Sequence, residues 1–288
     1  MGKITQTVSL IALLVLVAGC AVKPAVSPKL VVGAIVPHHL LVESYIDDFY
    51  ALLAKQIQPE LQPERIILIS PNHFNYGVRY IQTTTETPQH QYDGMLDLAS
   101  INSLADVNVA FIENEKYSKE HGIFVHYPFI QKYFPAAKVV PVTLKSGTPQ
   151  AKINEVVEQL RGDGQVRTLV IASVDFTHYV SDEIAIKNDN HIIDYLKKWS
   201  GDVGSRENFS EVFASLKRLA QSEKGSSEDV VSIDAVAMDS PESIYLLLKY
   251  LDGANVHKFN LWKRTSTFSV TGITEPTSNT SHIFAYFN

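Results

Sequence analysis

Three segments of this chain share one pattern: a run of branched apolar residues, a break, and then a histidine. Leu30–His38 reads LVVGAIVPH, Arg65–His73 reads RIILISPNH and Arg167–His178 reads RTLVIASVDFTH. A continuous Val/Ile/Leu run of this length suits a strand buried on both faces, the habit of parallel sheets covered by helices. In such sheets ligands bind in the crevice beyond the carboxyl ends of the strands. The pattern therefore predicts that three strands carry His38, His73 and His178 to one edge of one sheet.

The intervening segments supply the covering helices. Glu43–Gln58 places Ile46, Phe49, Leu53 and Ile57 at helical spacing, so the chain from Leu30 to Ser70 reads as a β-α-β unit with a right-handed crossover. Gln150–Arg161 sets Ile153, Val156, Val157 and Leu160 on one face. Further strands are expected at Asn108–Ile112 and Ala137–Val142. Further helices are expected at Tyr117–Phe134, with a break near Pro128, and at Asp182–Trp199, Asn208–Gln221 and Ser240–Leu251. In the last of these, Ser240 suits the N-cap and Pro241 the first turn. Thr83–Gln91 reads as a loop. The tail holds three strand-like pieces, Val256–Trp262, Ser266–Thr271 and His282–Phe287. This alternation predicts a three-layer α/β fold, with a mostly parallel central sheet flanked by helices and antiparallel C-terminal strands.

With 45% hydrophobic and 19% charged residues the chain has the composition of a folded globular protein. A net charge of −6 and the lack of any basic cluster exclude nucleic acid as a partner. A single cysteine, Cys20, excludes an internal disulfide framework and a multi-cysteine metal site.

That cysteine stands at the end of a targeting segment. Lys3 gives a positive start, and Val8–Val17 is an apolar stretch too short to span a bilayer. Leu16-Val17-Ala18-Gly19-Cys20 resembles the bacterial lipobox. The resemblance implies that residues 1–19 are a signal peptide and that Cys20 is acylated. Residues 20–29, with Pro24 and Pro28, read as a tether, and residues 30–288 as the α/β domain. The expected location is the bacterial cell envelope, as a lipid-anchored lipoprotein facing the periplasm or exterior and touching the membrane through its anchor.

The residues at the predicted sheet edge are metal and proton-transfer chemistry. Imidazole suits Fe, Zn, Cu and Ni. Asp175 and His178, three apart, suit a proton-transfer histidine oriented by a carboxylate, with any activity depending on a group that titrates where histidine does. The same pair also suits a turn capped by Asp175 with His178 packed on it. His39 is expected beside the site but pointing away from His38. Glu120, His121 and Tyr127 are placed near the cleft, and Glu120 and His121 equally suit packing within a helix. His90, His191, His257 and His282 read as surface or structural residues.

Pro37-His38, Pro71-Asn72-His73, Glu120-His121-Gly122-Ile123 and Asp175-Phe176-Thr177-His178-Tyr179, in this order, resemble the Memo-like family, also labelled AmmeMemoRadiSam system protein B. The resemblance spans nearly all of Leu30–Phe287. It implies a LigB-like fold, shared with class III extradiol dioxygenases, in which two histidines and a glutamate hold Fe(II) and a further histidine serves as acid/base. Carried over, His38 and His73 match the metal-ligand histidines, and Asp175 and His178 match the later Asp/His pair. His178 takes the acid/base place, and Glu120, His121 and His39 stand around the ligands. The family commonly has a cysteine near Asp234, and this chain has none there. Asp234 would complete a two-histidine, one-carboxylate set, with Asp239 or Glu275 as alternatives. Such a set favours Fe(II), with Zn, Mn or Cu as further candidates. Gly122 and His126 also depart from the family's usual residues. The implied function is an envelope-anchored, metal-binding redox enzyme or oxygenase of the non-haem-iron type acting on a small molecule. The alternative is a non-enzymatic metal- or peptide-binding lipoprotein.

Overall fold

The computed structural model describes residues 32–117, 119–162, 166–201, 208–221 and 235–288. The residues expected to form a signal segment and tether, Cys20 among them, and Asp234 lie outside the described residues. Eight strands form one sheet: β1 Gly33–Val36, β2 Arg65–Pro71, β3 Ile81–Thr83, β4 Phe111–Ile112, β5 Lys138–Leu144, β6 Thr168–Ser173, β7 Phe259–Ser266 and β8 Ser281–Phe287. Their order across the sheet is β4-β3-β5-β2-β6-β1-β8-β7. β5, β2, β6 and β1 run parallel, and the C-terminal hairpin β7–β8 adds antiparallel to β1.

The parallel centre follows from the apolar runs. Every residue of β1, β2 and β6 is buried, so both faces of these strands are covered. One cover is the helix Pro241–Gly253, nearly all of whose side chains are buried. Ser240 caps it, accepting from the Ser243 N–H at 3.1 Å, and Pro241 sits where a missing N–H costs nothing. This helix lies so close to β1 that a Cβ on Gly33 would stand 2.9 Å from Leu247 Cδ1 and Leu251 Cδ2. On the other side of the sheet the helix Glu43–Gln56 buries Ile46, Phe49, Tyr50 and Leu53, with Phe49 against Phe284 and Trp262.

The structure differs from the sequence reading in four places. Ser266–Thr271 is not a strand. Ser266 ends β7 and its hydroxyl accepts from Ser269 N–H, which starts the short helix Thr267–Thr271, and left-handed Gly272 ends it. The break near Pro128 falls earlier, between the helices His121–Phe124 and Tyr127–Tyr133, because proline fits the first turn of the second helix. Asn108–Ile112 contributes only the two-residue β4, and Thr83–Gln91 begins as the last residue of β3.

β6 lies between β1 and β2 and pairs with both. The ends of these three neighbouring strands therefore open onto one crevice. Among the described residues no helix is long and apolar enough to cross a membrane.

Candidate metal centre

His38 comes two residues after the end of β1 and is only 3% exposed. Its backbone N–H donates to Asp175 Oδ1 at 3.2 Å. Its Nδ1 meets the hydroxyl of Ser173, the last residue of β6, at 3.0 Å. These two contacts fix the ring and leave Nε2 facing the crevice.

His73 comes two residues after β2. The turn is held by Asn72, whose Nδ2 donates to the Tyr76 carbonyl and to Gln82 Oε1 at 2.9 Å each, and whose Oδ1 accepts from the Tyr76 N–H. Buried Glu120 grips His73 twice, accepting from its backbone N–H at 3.0 Å and pairing with Nδ1 at 2.5 Å. Glu120 also caps the helix His121–Phe124 by accepting from the Gly122 N–H. Gly122 is required here: a Cβ would run into Ser70 Oγ and stand 3.1 Å from His73 Cε1.

The capped helix brings the next residue, His121, over His73. Ring centroids are 4.1 Å apart for His73–His121, 4.8 Å for His38–His73 and 5.3 Å for His38–His121. The three residues offer ring nitrogens within 4.8 Å of one another, a grouping able to hold a metal ion. His38 is buried in it, whereas the His121 side chain is 49% exposed. The sequence reading placed His121 around the ligands; the geometry places it among the candidate ligands.

A carboxylate faces the same point. Asp239 Oδ2 is 3.4 Å from His38 Nε2 and 3.8 Å from His73 Nε2. Its other oxygen, Oδ1, is buried with no hydrogen-bond partner among the described residues. The cap of the following helix at Ser240 holds Asp239 in place, so the carboxylate named from sequence only as an alternative stands at the site. Asp234 lies outside the described residues, and Glu275 belongs to the turn before β8. Both histidines are tied at Nδ1 to protein oxygens and both turn Nε2 inward towards one carboxylate. That donor set fits a divalent cation, since histidine ligands characteristically donate their second ring nitrogen to an outer carboxylate or hydroxyl.

Asp175, on the loop after β6, forms the floor. Beyond the His38 N–H it takes His282 Nδ1 at 3.3 Å, and its Oδ2 lies 3.5 Å from His38 Nε2. His282, read from sequence as surface or structural, is fully buried here, with Nε2 unpartnered. His39 turns away from His38: its ring packs 5.3 Å from that of His282, and its Nδ1 accepts from the Leu41 N–H. His178 is held by its backbone N–H on the Val236 carbonyl, and its Nδ1 is buried with no partner among the described residues. Tyr127 is buried in the core, stacked between Tyr92 and Phe124. A cleft of about 250 Å³, lined by His38, His39, Leu40, His121, Val125 and Asp175, opens this floor to solvent.

The charges are sorted by burial and neighbours. Burial holds His38 well below the ordinary histidine range, against the pull of Asp175. Burial also lowers His73, but Asp239 and Glu120 outweigh it and push the ring up to about 10. Burial raises Asp239 to about 6 against the pull of His73, with Asp175 adding to the rise. Burial raises Asp175 as well, yet His38, His282 and His178 hold it far below the carboxylate range. Burial takes His178 down to about 4, below the range expected from the sequence.

The model of the Memo-like protein family matches residues 10–280, and the chain belongs to that family. It is similar to MEMO1 family proteins of three archaea. The Caldivirga maquilingensis protein is 30% identical over 178 residues, covering 57% of this chain and 59% of the relative. The Pyrobaculum arsenaticum protein is 31% identical over 184 residues, covering 59% and 63%. The Methanosarcina acetivorans protein is 30% identical over 176 residues, covering 58% and 62%. The chain thus matches about three-fifths of the length of these relatives. An uncharacterized protein of Escherichia coli K12 has the same fold, with a TM-score of 0.54 at 12% identity, covering 88% of this chain and 98% of that one.

Proposed function

We propose that this member of the Memo-like family binds one divalent cation between His38, His73 and Asp239, with His121 at the solvent side. The reading includes redox or oxygen chemistry on a small molecule in the adjoining cleft. It rests on one observation: two inward Nε2 atoms, each on a ring anchored at Nδ1, meet a carboxylate whose remaining oxygen is buried and has no partner among the described residues. Two histidines with one carboxylate favour Fe(II), with Zn, Mn and Cu as competitors. A bound cation would act as a Lewis acid on an oxygen of the ligand it shares with the cleft.

The chain's own groups divide the remaining work. Glu120 and Ser173 orient the two rings. Asp175 stays ionised and fixes the His38 loop and His282. His178 remains neutral above pH 4 or so and is suited to accept a proton at its free Nδ1. Leu40 and Val125 give the cleft an apolar wall for the body of a small ligand. We further propose that acylation of Cys20 tethers the domain to the cell envelope.

Metal analysis of protein purified without chelators tests the cation, and oxygen uptake with Fe(II) and a panel of catechols tests turnover. Metal content near one per chain, lost in His38→Ala and His73→Ala, is expected. Metal without turnover would leave a binding protein, and full metal in both variants would overturn the site.

A further inference from the structure

Behind His38 runs a buried file of polar groups. His38 Nδ1 meets Ser173 Oγ at 3.0 Å, Ser173 Oγ meets His126 Nε2 at 2.9 Å, and His126 Nδ1 meets the Tyr50 hydroxyl at 2.9 Å. Ser173, His126 and Tyr50 are all fully buried, and no other partner for the Tyr50 or Ser173 hydroxyl stands among the described residues. We infer that Tyr50, His126 and Ser173 act as a hydrogen-bond file that sets the tautomer of His38 and thereby weakens or strengthens its hold on a cation. The inference rests on the metal reading above.

Counting protons gives the argument. His126 is fully buried with a hydroxyl on each ring nitrogen and no carboxylate beside it among the described residues, and His38 binds a cation only as the neutral ring, so each ring carries one N–H. In one direction Tyr50 O–H donates to His126 Nδ1, His126 Nε2–H to Ser173, and Ser173 O–H to His38 Nδ1. His38 then carries its proton on Nε2, facing the carboxylates of Asp175 and Asp239 at 3.5 and 3.4 Å. Every hydroxyl proton in the file has an acceptor. This is the arrangement of the cation-free protein.

A cation needs the Nε2 lone pair, so the His38 proton must move to Nδ1 and point at Ser173. Either the whole file reverses and the Tyr50 O–H loses its acceptor, or Ser173 accepts from both rings and its own proton is stranded. Both outcomes leave one buried hydroxyl unpaired, a penalty paid only on loading. The file therefore opposes the cation, while Ser173 as acceptor supports it.

One substitution carries the sign. Tyr50→Phe leaves one unpaired nitrogen at His126 in either direction, so the bias against loading disappears and zinc should bind roughly tenfold more tightly. A purely structural role for Tyr50 would weaken binding instead. Zinc affinity is measured by competition with a chromophoric chelator. Imidazole ¹H–¹⁵N correlation spectra of wild-type protein give the tautomer directly, with His38 expected as Nε2–H without metal and Nδ1–H with zinc. An Nδ1–H tautomer in the metal-free wild type, or zinc binding no tighter in Tyr50→Phe than in wild type, overturns the file. Absence of any zinc binding by wild type would defeat the metal reading alone, because the metal-free tautomer still decides the file.

Discussion

Asp175 and Asp239, 64 residues apart, clasp each other at the site: the Asp175 N–H donates to Asp239 Oδ2 at 3.2 Å, and the Asp239 N–H donates to the Asp175 carbonyl at 3.1 Å. One carboxyl is held ionised and the other is raised to about 6, an asymmetry set by where each points. Asp175 lies among imidazoles on the floor. Asp239 has one oxygen facing both Nε2 atoms and one with no hydrogen-bond partner among the described residues.

On the proposed reading Asp239 is the carboxylate ligand. Asp239→Ala should reduce zinc affinity by more than about a hundredfold, beyond the usual effect of outer partners. Asp234→Ala should leave it unchanged. Isothermal titration with zinc separates the two, and the reverse result would move the ligand to Asp234.

Glu120 anchors both the backbone and Nδ1 of His73. Glu120→Gln keeps the shape but removes the charge, and should weaken zinc binding by about 10–100-fold. The same titration reads it, and an unchanged affinity would show that His73 does not ligate.

pH acts through His73. Its folded value of about 10 exceeds the ordinary 6.5, so its contribution to the stability of the metal-free protein is complete below pH 6.5 and is lost as pH rises through 10. Urea midpoints of metal-free protein should therefore fall between pH 7 and 10. A cation must displace the same proton, so zinc affinity should rise by about tenfold per pH unit between 7 and 9. A flat profile in both would mean that the ring is neutral at pH 7.

Gly122 packs directly on Ser70 and the His73 ring. Gly122→Ala must displace one of them and should cost on the order of 1–3 kcal/mol, as overpacking does. Thermal unfolding checks the stability. Zinc affinity should fall in parallel where the His73 ring, a proposed ligand, is the group displaced.

Cys20→Ser tests the anchor. Wild-type protein should partition into detergent with envelope membranes, and the variant should be released or left unprocessed. Recovery of wild type wholly in the aqueous fraction would exclude acylation.

The sequence by itself determined the frame of this site. The apolar runs ending in Val36, Pro71 and Ser173 and the histidines just past them are short-range facts, because a strand buried on both faces must be apolar along its length. The Ser240 cap and the Gln150–Arg161 helix were legible for the same local reason, and the family motifs carried Glu120 and Asp175 with them. What only the tertiary structure decided depends on which strands are neighbours. β6 slots between β1 and β2, which sets Ser173 under His38 and extends the file to His126 and Tyr50 from two different helical segments. β8 lies against β1, which buries His282 on Asp175 although its local sequence reads as an ordinary strand end. The capped helix at Ser240 aims Asp239 at the two rings, and the Glu120 cap swings His121 over His73. Strand order and side-chain direction arise from contacts between residues tens to hundreds of positions apart, and a periodicity read within one segment holds no record of them.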